Sequence, residues 1–301
     1  KQRRKGRIVK KEPMVVLANK RSRGYYDGYR RRLLEIFAHR RSSPITFLPN
    51  TKNMFKNVKP KTKHVIIAGG DGTFEAALHH KPFYKKTLGF FPLGAGNAFW
   101  SYFYKGKRYK YLRSRFPFRE IQQDVFELEW DKGKTQTLFM NIGIDAEVIR
   151  LSSKRTQHGF LDYFRGSTKA LARSKADYEL DIEIDGKKYH WDNCVGVFLS
   201  KISHLGFGLR ALFGKVKSDD RNVYGSAIIN AHSPWWNKPL RLWALILGMM
   251  NLNRSPYHTF KGKIITVKSE VPFPIQAGGE FLGYTQWIKI KVKRQQKMLV
   301  L

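Results

Sequence analysis

The chain has 301 residues, of which 42% are hydrophobic and 14% aromatic, so it can bury sizeable cores and is not disordered as a whole. Lysine and arginine number 57 against 23 acidic residues, and the formal net charge of +34 implies an anionic partner, either an acidic membrane surface or nucleic acid. Cys194 is the single cysteine, which excludes an internal disulfide and is consistent with a reducing compartment. No apolar run reaches the roughly 18 residues that a membrane-spanning helix needs.

The first part of the chain alternates strand and helix patterns after a basic run at residues 1–12. Short apolar runs predict four strands, at residues 14–18, 45–48, 65–67 and 88–92. The apolar spacing of residues 29–40 predicts a helix. Strands that alternate with helices indicate a doubly wound, parallel α/β sheet, and ligands bind such sheets at the carboxyl ends of the strands.

The stretch 64–78, HVIIAGGDGTFEAAL, predicts a strand, a glycine-rich turn and a helix that Thr73 caps. Glycines let a ligand approach the backbone, and a helix N-terminus directs N–H groups at it, which suits a phosphate. Asp71 is an anion in this place, so we expect it to hold a cation beside the phosphates or to take a proton from an attacking hydroxyl. The alternative is a tight turn in which Asp71 bonds its own backbone.

A second glycine-rich turn follows the strand at 88–92, with Gly94, Gly96 and Asn97 before another helix. Two such turns in one small domain are much more specific than one and favour a nucleotide site. Three polar residues directly follow predicted strands and should meet at one edge of the sheet: Asn19, Thr51 and Asp71.

From residue 123 onward the pattern changes to alternating strands joined by hairpin turns, as at 131–134 and 185–186. This change predicts a β-sandwich, interrupted by a helix at about 161–174. We therefore divide the chain into an α/β domain, residues 1–118, and a β-sandwich domain, residues 119–301, whose extreme C-terminus packs back on the first domain.

Two further segments suit an anionic surface. Residues 105–119 interleave aromatic side chains with cations, and residues 234–250 combine three tryptophans with a short apolar helix. The alternatives are a linker that covers the domain junction and a helix that packs on the sandwich.

The motifs, in this order along nearly the whole chain, resemble those of the diacylglycerol kinase catalytic-domain family of lipid kinases, which includes bacterial lipid kinases, sphingosine kinases and ceramide kinases. The similar stretches are Asn19 to Gly24, GGDGT at 69–73, PLGAGN at 92–97, NIGIDAEV at 141–148, Asp219-Asp220 and Gly279-Glu280. GGDGT alone also occurs in NAD kinases and phosphofructokinases, whereas the second turn and the late element favour lipid kinases.

The resemblance implies ATP and Mg²⁺ in a cleft between a nucleotide domain and a sandwich that carries the lipid site. It assigns catalysis to Asp71, as proton acceptor or metal-orienting group, and to Glu280, which would reach in from the sandwich. It implies a nucleotide site made of Asn19, Thr51, Gly69, Gly70, Asp71, Gly72, Thr73, Gly94, Gly96 and Asn97. Phosphoryl transfer depends mostly on positioning and charge neutralisation, which these groups would supply.

The chain departs from the family at Gly278, where the family has an aspartate that is a candidate base or phosphate-side ligand in some members. Asp219 and Asp220 resemble residues that hold a structural Mg²⁺ in some bacterial members, with Asp124 and Asp145 as candidate partners. The alternative for the aspartate pair is an acidic hairpin turn.

The sequence thus predicts an ATP-dependent lipid kinase on the inner face of the cytoplasmic membrane, with a lipid such as diacylglycerol as its substrate. A second hypothesis is a catalytically silent protein on a kinase fold that binds anionic membrane or, less favoured, nucleic acid. A third and weaker one is an NAD kinase-like enzyme.

Overall fold

In the computed structural model, the described residues are 7–8, 14–49, 55, 58–104, 119–152, 178–210, 212, 215–229 and 257–300. Thr51, the predicted helix at 161–174 and the segments 105–118 and 234–250 lie outside them. The chain forms two compact units. Unit 1 comprises residues 1–123, 206–208 and 295–301, and unit 2 comprises residues 124–205 and 209–294.

Unit 1 contains the parallel sheet that the sequence predicts. Its strands are β2 (Met14–Ala18), β3 (Ile45–Phe47), β4 (His64–Gly69) and β5 (Thr87–Pro92), whereas β1 (Arg7–Ile8) pairs antiparallel with residues 119–120. The parallel order is β3–β2–β4–β5, and Met298 extends it by pairing in parallel with Leu88. Val65, Ile66 and Ile67 of β4 are fully buried, as expected for a central strand covered on both faces.

The described residues of unit 1 also form four helices, α1 (Arg23–Tyr26), α2 (Gly28–Arg40), α3 (Asp71–His79) and α4 (Ala98–Tyr104). Single 3₁₀ turns lie at Lys81–Phe83 and Gly206–Gly208. The rings of Phe74, Phe90 and Phe99 pack together, with centroids 5.4 Å apart for Phe74–Phe90 and 4.7 Å for Phe74–Phe99. This cluster anchors α3 and α4, which open at the two glycine-rich turns, on the same strand.

Unit 2 is built around antiparallel strands. The strands that lie in it, wholly or in part, are β6 (Arg119–Trp130), β7 (Gly133–Thr137), β8 (Phe139–Gly143), β9 (Tyr178–Ile184), β10 (Lys187–Cys194), β11 (Gly196–Ser200), β12 (Val223–Ile228), β13 (Tyr257–Gly262), β14 (Ile264–Ala277) and β15 (Glu280–Val300). The order β13–β12–β11–β8–β14 continues from β14 to β9 and β10, and every one of these pairings is antiparallel. Fully buried residues such as Phe273 and Ile288 lie in its core. An N-terminal α/β domain followed by a sheet domain is confirmed.

Several local predictions need correction. The turn after β4 is shorter than expected, because Gly70 is the N-cap of α3 and the helix begins at Asp71 rather than after Thr73. The strand that the sequence predicts at residues 135–144 is divided between β7 and β8 and ends one residue earlier, because Gly143 adopts a positive φ of 83°. Helix α5 (Ile144–Ser152) begins there and was not predicted. The sequence predicts a polar turn at residues 19–24, and its last two residues lie instead in α1 (Arg23–Tyr26).

Candidate functional site

The first glycine-rich turn is a direct passage from a buried strand into a helix. Gly69 ends β4, Gly70 caps α3 in an extended conformation, and the Phe74 N–H donates to the Gly70 carbonyl at 3.2 Å. The N–H groups of the first turn of α3 have no acceptor inside the helix. Gly72 lies in that turn, is exposed, and would meet no atom within 4 Å if it carried a Cβ. The backbone there is accessible to a ligand, and it favours an anion.

The second turn is closed by its own asparagine. Asn97 is buried and has a positive φ of 51°, and its side-chain oxygen accepts the Gly94 N–H at 3.0 Å. Its amide nitrogen donates to the Gly94 carbonyl at 2.7 Å. Asn97 therefore holds the shape of the turn, and its predicted contact with a nucleotide stays a prediction.

The two turns lie against each other. A Cβ on Gly94 would come within 2.5 Å of the Gly70 Cα, a distance that real Cβ atoms essentially never show. The N–H groups of Leu93 and Gly94 both donate to the Gly69 carbonyl, at 2.9 and 3.1 Å. Gly94 is thus required for the packing of one turn on the other, independently of any ligand, whereas a Cβ on Gly70 would make a tight contact of 3.2 Å with the Gly94 Cα.

Asp71 links the two turns. Its Oδ1 accepts the Phe99 N–H at 3.3 Å, so the carboxylate contacts the opening of α4 and not only its own turn. Burial raises the pKa of Asp71 to about 6, against the opposing effect of hydrogen bonds from the backbone of Ala98, Phe99 and Asn97. A carboxylate with such a pKa is a suitable general base near neutral pH.

Asn19 joins this site from β2, as the sequence predicts. Its Nδ2 donates to the Thr73 Oγ1 at 2.9 Å, and its Oδ1 accepts the Arg21 N–H at 2.9 Å. Thr73 therefore fixes Asn19 rather than capping α3. Asn19 and Asp71 lie on the same sheet edge, since Asn19 directly follows β2 and donates its N–H to Ala68 of β4.

Arg30 is a site residue that the sequence did not predict. Its guanidinium donates to the Gly94 carbonyl at 2.8 Å and lies 3.5 Å from an Asp27 carboxylate oxygen. Gly24 makes room for it, because a Cβ there would lie 2.6 Å from the Arg30 Cδ. A cation beside a glycine-rich turn favours a phosphate group. No signal distinguished Arg30 among 57 lysines and arginines.

The predicted residues of unit 2 form separate clusters. Asp220 accepts hydrogen bonds from Lys201, whereas Asp219 is exposed. Asp145 lies in another cluster, where it accepts from the side chains of Asn141 and Gln276. Among the described residues no group of three or more His, Cys, Asp or Glu side chains could hold a metal ion.

Glu280 and Gly278 lie at the hairpin between β14 and β15. Glu280 is exposed, and its catalytic role stays a prediction. Gly278 and Gly279 form the two-residue turn with φ values of 60° and 88°. Positive φ at both positions is the requirement of a type I′ hairpin, which Gly-Gly and Asp-Gly both satisfy. The turn therefore does not explain why position 278 has glycine instead of aspartate.

The comparisons with known proteins agree with this geometry. Residues 13–114 match the family described as Diacylglycerol kinase catalytic domain. This range contains β2 to β5, both glycine-rich turns and Asp71. No curated protein sequence matches the chain.

Solved structures share the fold over nearly the whole length. A protein proposed to be a diacylglycerol kinase from Bacillus anthracis str. Sterne is similar with a TM-score of 0.67 at 15% identity, covering 97% of this chain and 98% of that one. A diacylglycerol kinase from the same organism has a TM-score of 0.61 at 14% identity and covers 97% of each chain. At these identities the similarity shows a shared fold.

Proposed function

We propose that the protein is an ATP-dependent lipid kinase that transfers the γ-phosphate to a hydroxyl of a membrane lipid. The observation that carries the proposal is the position of Asp71, which contacts the opening of α4 from within the GGDGT turn of a matched diacylglycerol kinase catalytic domain. A kinase-type phosphotransferase is the coarser statement that the family supports. ATP, Mg²⁺ and the lipid are proposals.

In this reaction the protein forms no covalent bond with the substrates and mainly positions them and neutralises charge. The lipid oxygen forms a bond to the γ-phosphorus, the bond from that phosphorus to the bridging oxygen of ADP breaks, and the hydroxyl proton goes to the Asp71 carboxylate. The first turn of α3 and the guanidinium of Arg30 supply N–H groups and positive charge for the phosphates.

The protein groups at this site would bind Mg²⁺ only together with the phosphates of ATP. Mg²⁺ is commonly bound by one or two carboxylates plus phosphate oxygens and water, and Asp71 is the carboxylate within the two described glycine-rich turns. Asp71 would orient a hydrated ion held mainly by the nucleotide. When bound, Mg²⁺ neutralises charge that develops on the phosphates.

A panel of acceptors tests the proposal. The full chain is incubated with γ-labelled ATP, Mg²⁺ and vesicles that contain diacylglycerol, a sphingoid base or ceramide, with NAD as a soluble acceptor. We expect label in one lipid class and none in NAD. Label in NAD alone would assign the protein to soluble-substrate kinases.

A catalytically silent protein that binds anionic membrane is the second candidate, favoured by the net charge of +34 and by Gly278. Thermal unfolding with ATP and Mg²⁺ separates the two. A ligand that binds the folded state raises the Tm, so the kinase is expected to show a shift. No shift, combined with salt-sensitive binding to anionic vesicles, would support the silent protein.

A further inference from the structure

Lys201 is a fully buried lysine in unit 2. It follows β11, and its N–H donates to the Leu138 carbonyl at 2.8 Å, which fixes its backbone. Its side chain is fully buried, as is that of its partner Asp124. A lysine is almost never buried to this extent unless its charge is paired.

Oxygen atoms surround the ammonium group. The Nζ lies 3.1 Å from the Asp124 Oδ2, 2.8 Å from the Asp220 Oδ1 and 2.7 Å from the Asn222 carbonyl oxygen. The Tyr224 ring lies on another side, with its centroid 5.2 Å from the Nζ. Carboxylate and backbone carbonyl oxygens are the ligands that Mg²⁺ and Ca²⁺ take from proteins.

The loop before β12 holds these oxygens in place. The Asp220 Oδ2 accepts from the Tyr224 hydroxyl at 2.5 Å and from the Asn222 Nδ2 at 3.0 Å. The Arg221 N–H donates to the Asp124 Oδ2 at 2.7 Å, from a residue with a positive φ of 60°. Burial would raise the pKa of Asp220, but hydrogen bonds from Lys201, Tyr224 and Asn222 hold it well below its ordinary value.

The resemblance to bacterial members implies a structural Mg²⁺ at the aspartate pair, and these contacts do not fit one. The position at which Asp124 and Asp220 point their oxygens is taken by an ammonium, and two cations would repel each other at such a distance. Asp219, the other implied ligand, is exposed.

We propose that Lys201 is a tethered cation that takes the place of a divalent ion between Asp124 and Asp220, so that the fold of unit 2 is independent of metal. A covalently attached cation has no dissociation equilibrium, so chelators and low Mg²⁺ leave it in place. Removal of the ammonium should convert the cluster into a divalent-cation site, because Asp124, Asp220 and the Asn222 carbonyl would keep their oxygens there.

Thermal unfolding of the full chain tests this without any activity assay. The wild-type Tm should be the same in EDTA and in millimolar Mg²⁺, Ca²⁺ or Mn²⁺. Lys201→Ala removes the cation that lies between the buried Asp124 and the half-buried Asp220, and it vacates space. Its Tm should therefore fall by roughly 10 °C in EDTA and recover mostly when one of these ions is added. Lys201→Met fills the space with an apolar chain, so its Tm should fall without recovery.

A second substitution checks where the ion binds. Adding Asp220→Asn to Lys201→Ala should abolish the recovery, because it removes one carboxylate of the site. Lys201→Ala that is folded but unaffected by all three ions would overturn the proposal. If Lys201→Ala does not fold under any condition, Mn²⁺ binding to nucleotide-free wild type, followed by electron paramagnetic resonance, decides. A bound ion that Asp220→Asn removes would overturn the proposal, and no such ion would support it.

Discussion

Asp71 is both a structural contact between the two turns and the proton acceptor of the proposed reaction. Its carboxylate accepts an N–H from the opening of α4, and burial raises its pKa to about 6. A raised pKa means that the folded protein disfavours the charged form of this carboxylate, whereas a proton acceptor must be charged. The tension is typical of groups that act in catalysis.

The raised pKa predicts an acid limb in the kinase rate. Protonated Asp71 cannot accept a proton, so kcat/KM should be constant above about pH 7 and should fall as the pH drops through about 6, by about tenfold per unit below it. The measurement is the rate of lipid phosphorylation from pH 5 to 8, with ATP affinity measured in parallel to separate titration of the nucleotide. A rate that stays constant down to pH 5 would exclude Asp71 as the base.

Some residues of the candidate site could be predicted from the sequence, and others could not. The GGDGT motif pointed to Asp71 and Gly72, but only together with the second glycine-rich turn did it favour a nucleotide site over a tight turn. Arg30 and Lys201 were hidden, because their roles depend on which backbone oxygens and carboxylates approach them from distant parts of the chain. In a chain with 57 basic residues, residue type alone carries no information of that kind.

Among the elements, the two glycine-rich turns depend on each other. Gly94 packs on Gly70 without space for a Cβ, whereas Gly72 faces open space. Glycines that look alike in the sequence therefore have different reasons to be glycine: one set serves packing, and the other leaves a backbone accessible.

A matched pair of alanine substitutions separates these reasons. Gly94→Ala should lower the free energy of unfolding by about 1–3 kcal/mol, because its Cβ would overlap the Gly70 Cα. Gly72→Ala should change it by less than about 1 kcal/mol, yet should weaken ATP binding, because the added methyl group lies where the ligand approaches. Denaturant unfolding and nucleotide titration measure both. Equal destabilisation by the two substitutions would contradict this division of roles.

The β9–β10 hairpin carries a histidine between two carboxylates. His190 Nδ1 lies 2.8 Å from an Asp181 oxygen and Nε2 lies 2.9 Å from an Asp192 oxygen, and hydrogen bonds to Asp181 and Asp192 raise its pKa. A histidine whose pKa is raised by folding stabilises the folded state. The stabilisation is fully present below the pKa of the unfolded chain, about 6.5, and is lost as the pH rises through the pKa of the folded protein.

We therefore expect the amides of this hairpin to lose hydrogen-exchange protection, relative to the rest of unit 2, as the pH rises above the folded pKa of His190. An NMR titration should give an imidazole pKa above about 6.5 in the wild type, and a lower one in Asp181→Asn/Asp192→Asn. An unchanged value in the double variant would show that the carboxylates do not act on His190.

Element types were predicted better than element ends. The apolar spacing predicted α2, and the Asp185-Gly186 pair predicted the β9–β10 hairpin, where both residues have positive φ. Helix α5 was missed, because the alternation of residues 135–144 continues into Ile144 and the break depends on the conformation of Gly143. Short apolar runs do not by themselves distinguish a strand from a helix.

For the whole molecule, the order of the apolar patterns predicts the fold, whereas the net charge predicts the kind of partner. The order of strand and helix patterns predicted an α/β unit followed by a β-rich unit, because pattern periods reflect which faces are buried. No helix among the described residues is both long and apolar enough to cross a membrane. The net charge of +34 bears on the partner and not on the fold.

The charge predicts salt-dependent attachment to anionic membranes. Each cation near an acidic surface contributes about 1 kcal/mol, and salt screens the attraction. Sedimentation with vesicles should therefore show binding to phosphatidylserine-containing membranes that falls steeply with added salt, and little binding to neutral membranes. Equal, salt-insensitive binding to both would point to apolar insertion instead of charge.

The most direct test of the proposed kinase compares lipid phosphorylation by the wild type and by Asp71→Asn, with ATP binding measured on both. The introduced asparagine retains an oxygen that can accept the Phe99 N–H but cannot take a proton, so the variant should fold and bind ATP while its kcat falls by about 10²- to 10⁴-fold. Asp131→Asn, in the exposed turn between β6 and β7, is the matched control and should keep full activity. Undiminished transfer by Asp71→Asn would contradict the central claim that this carboxylate serves a phosphoryl-transfer site.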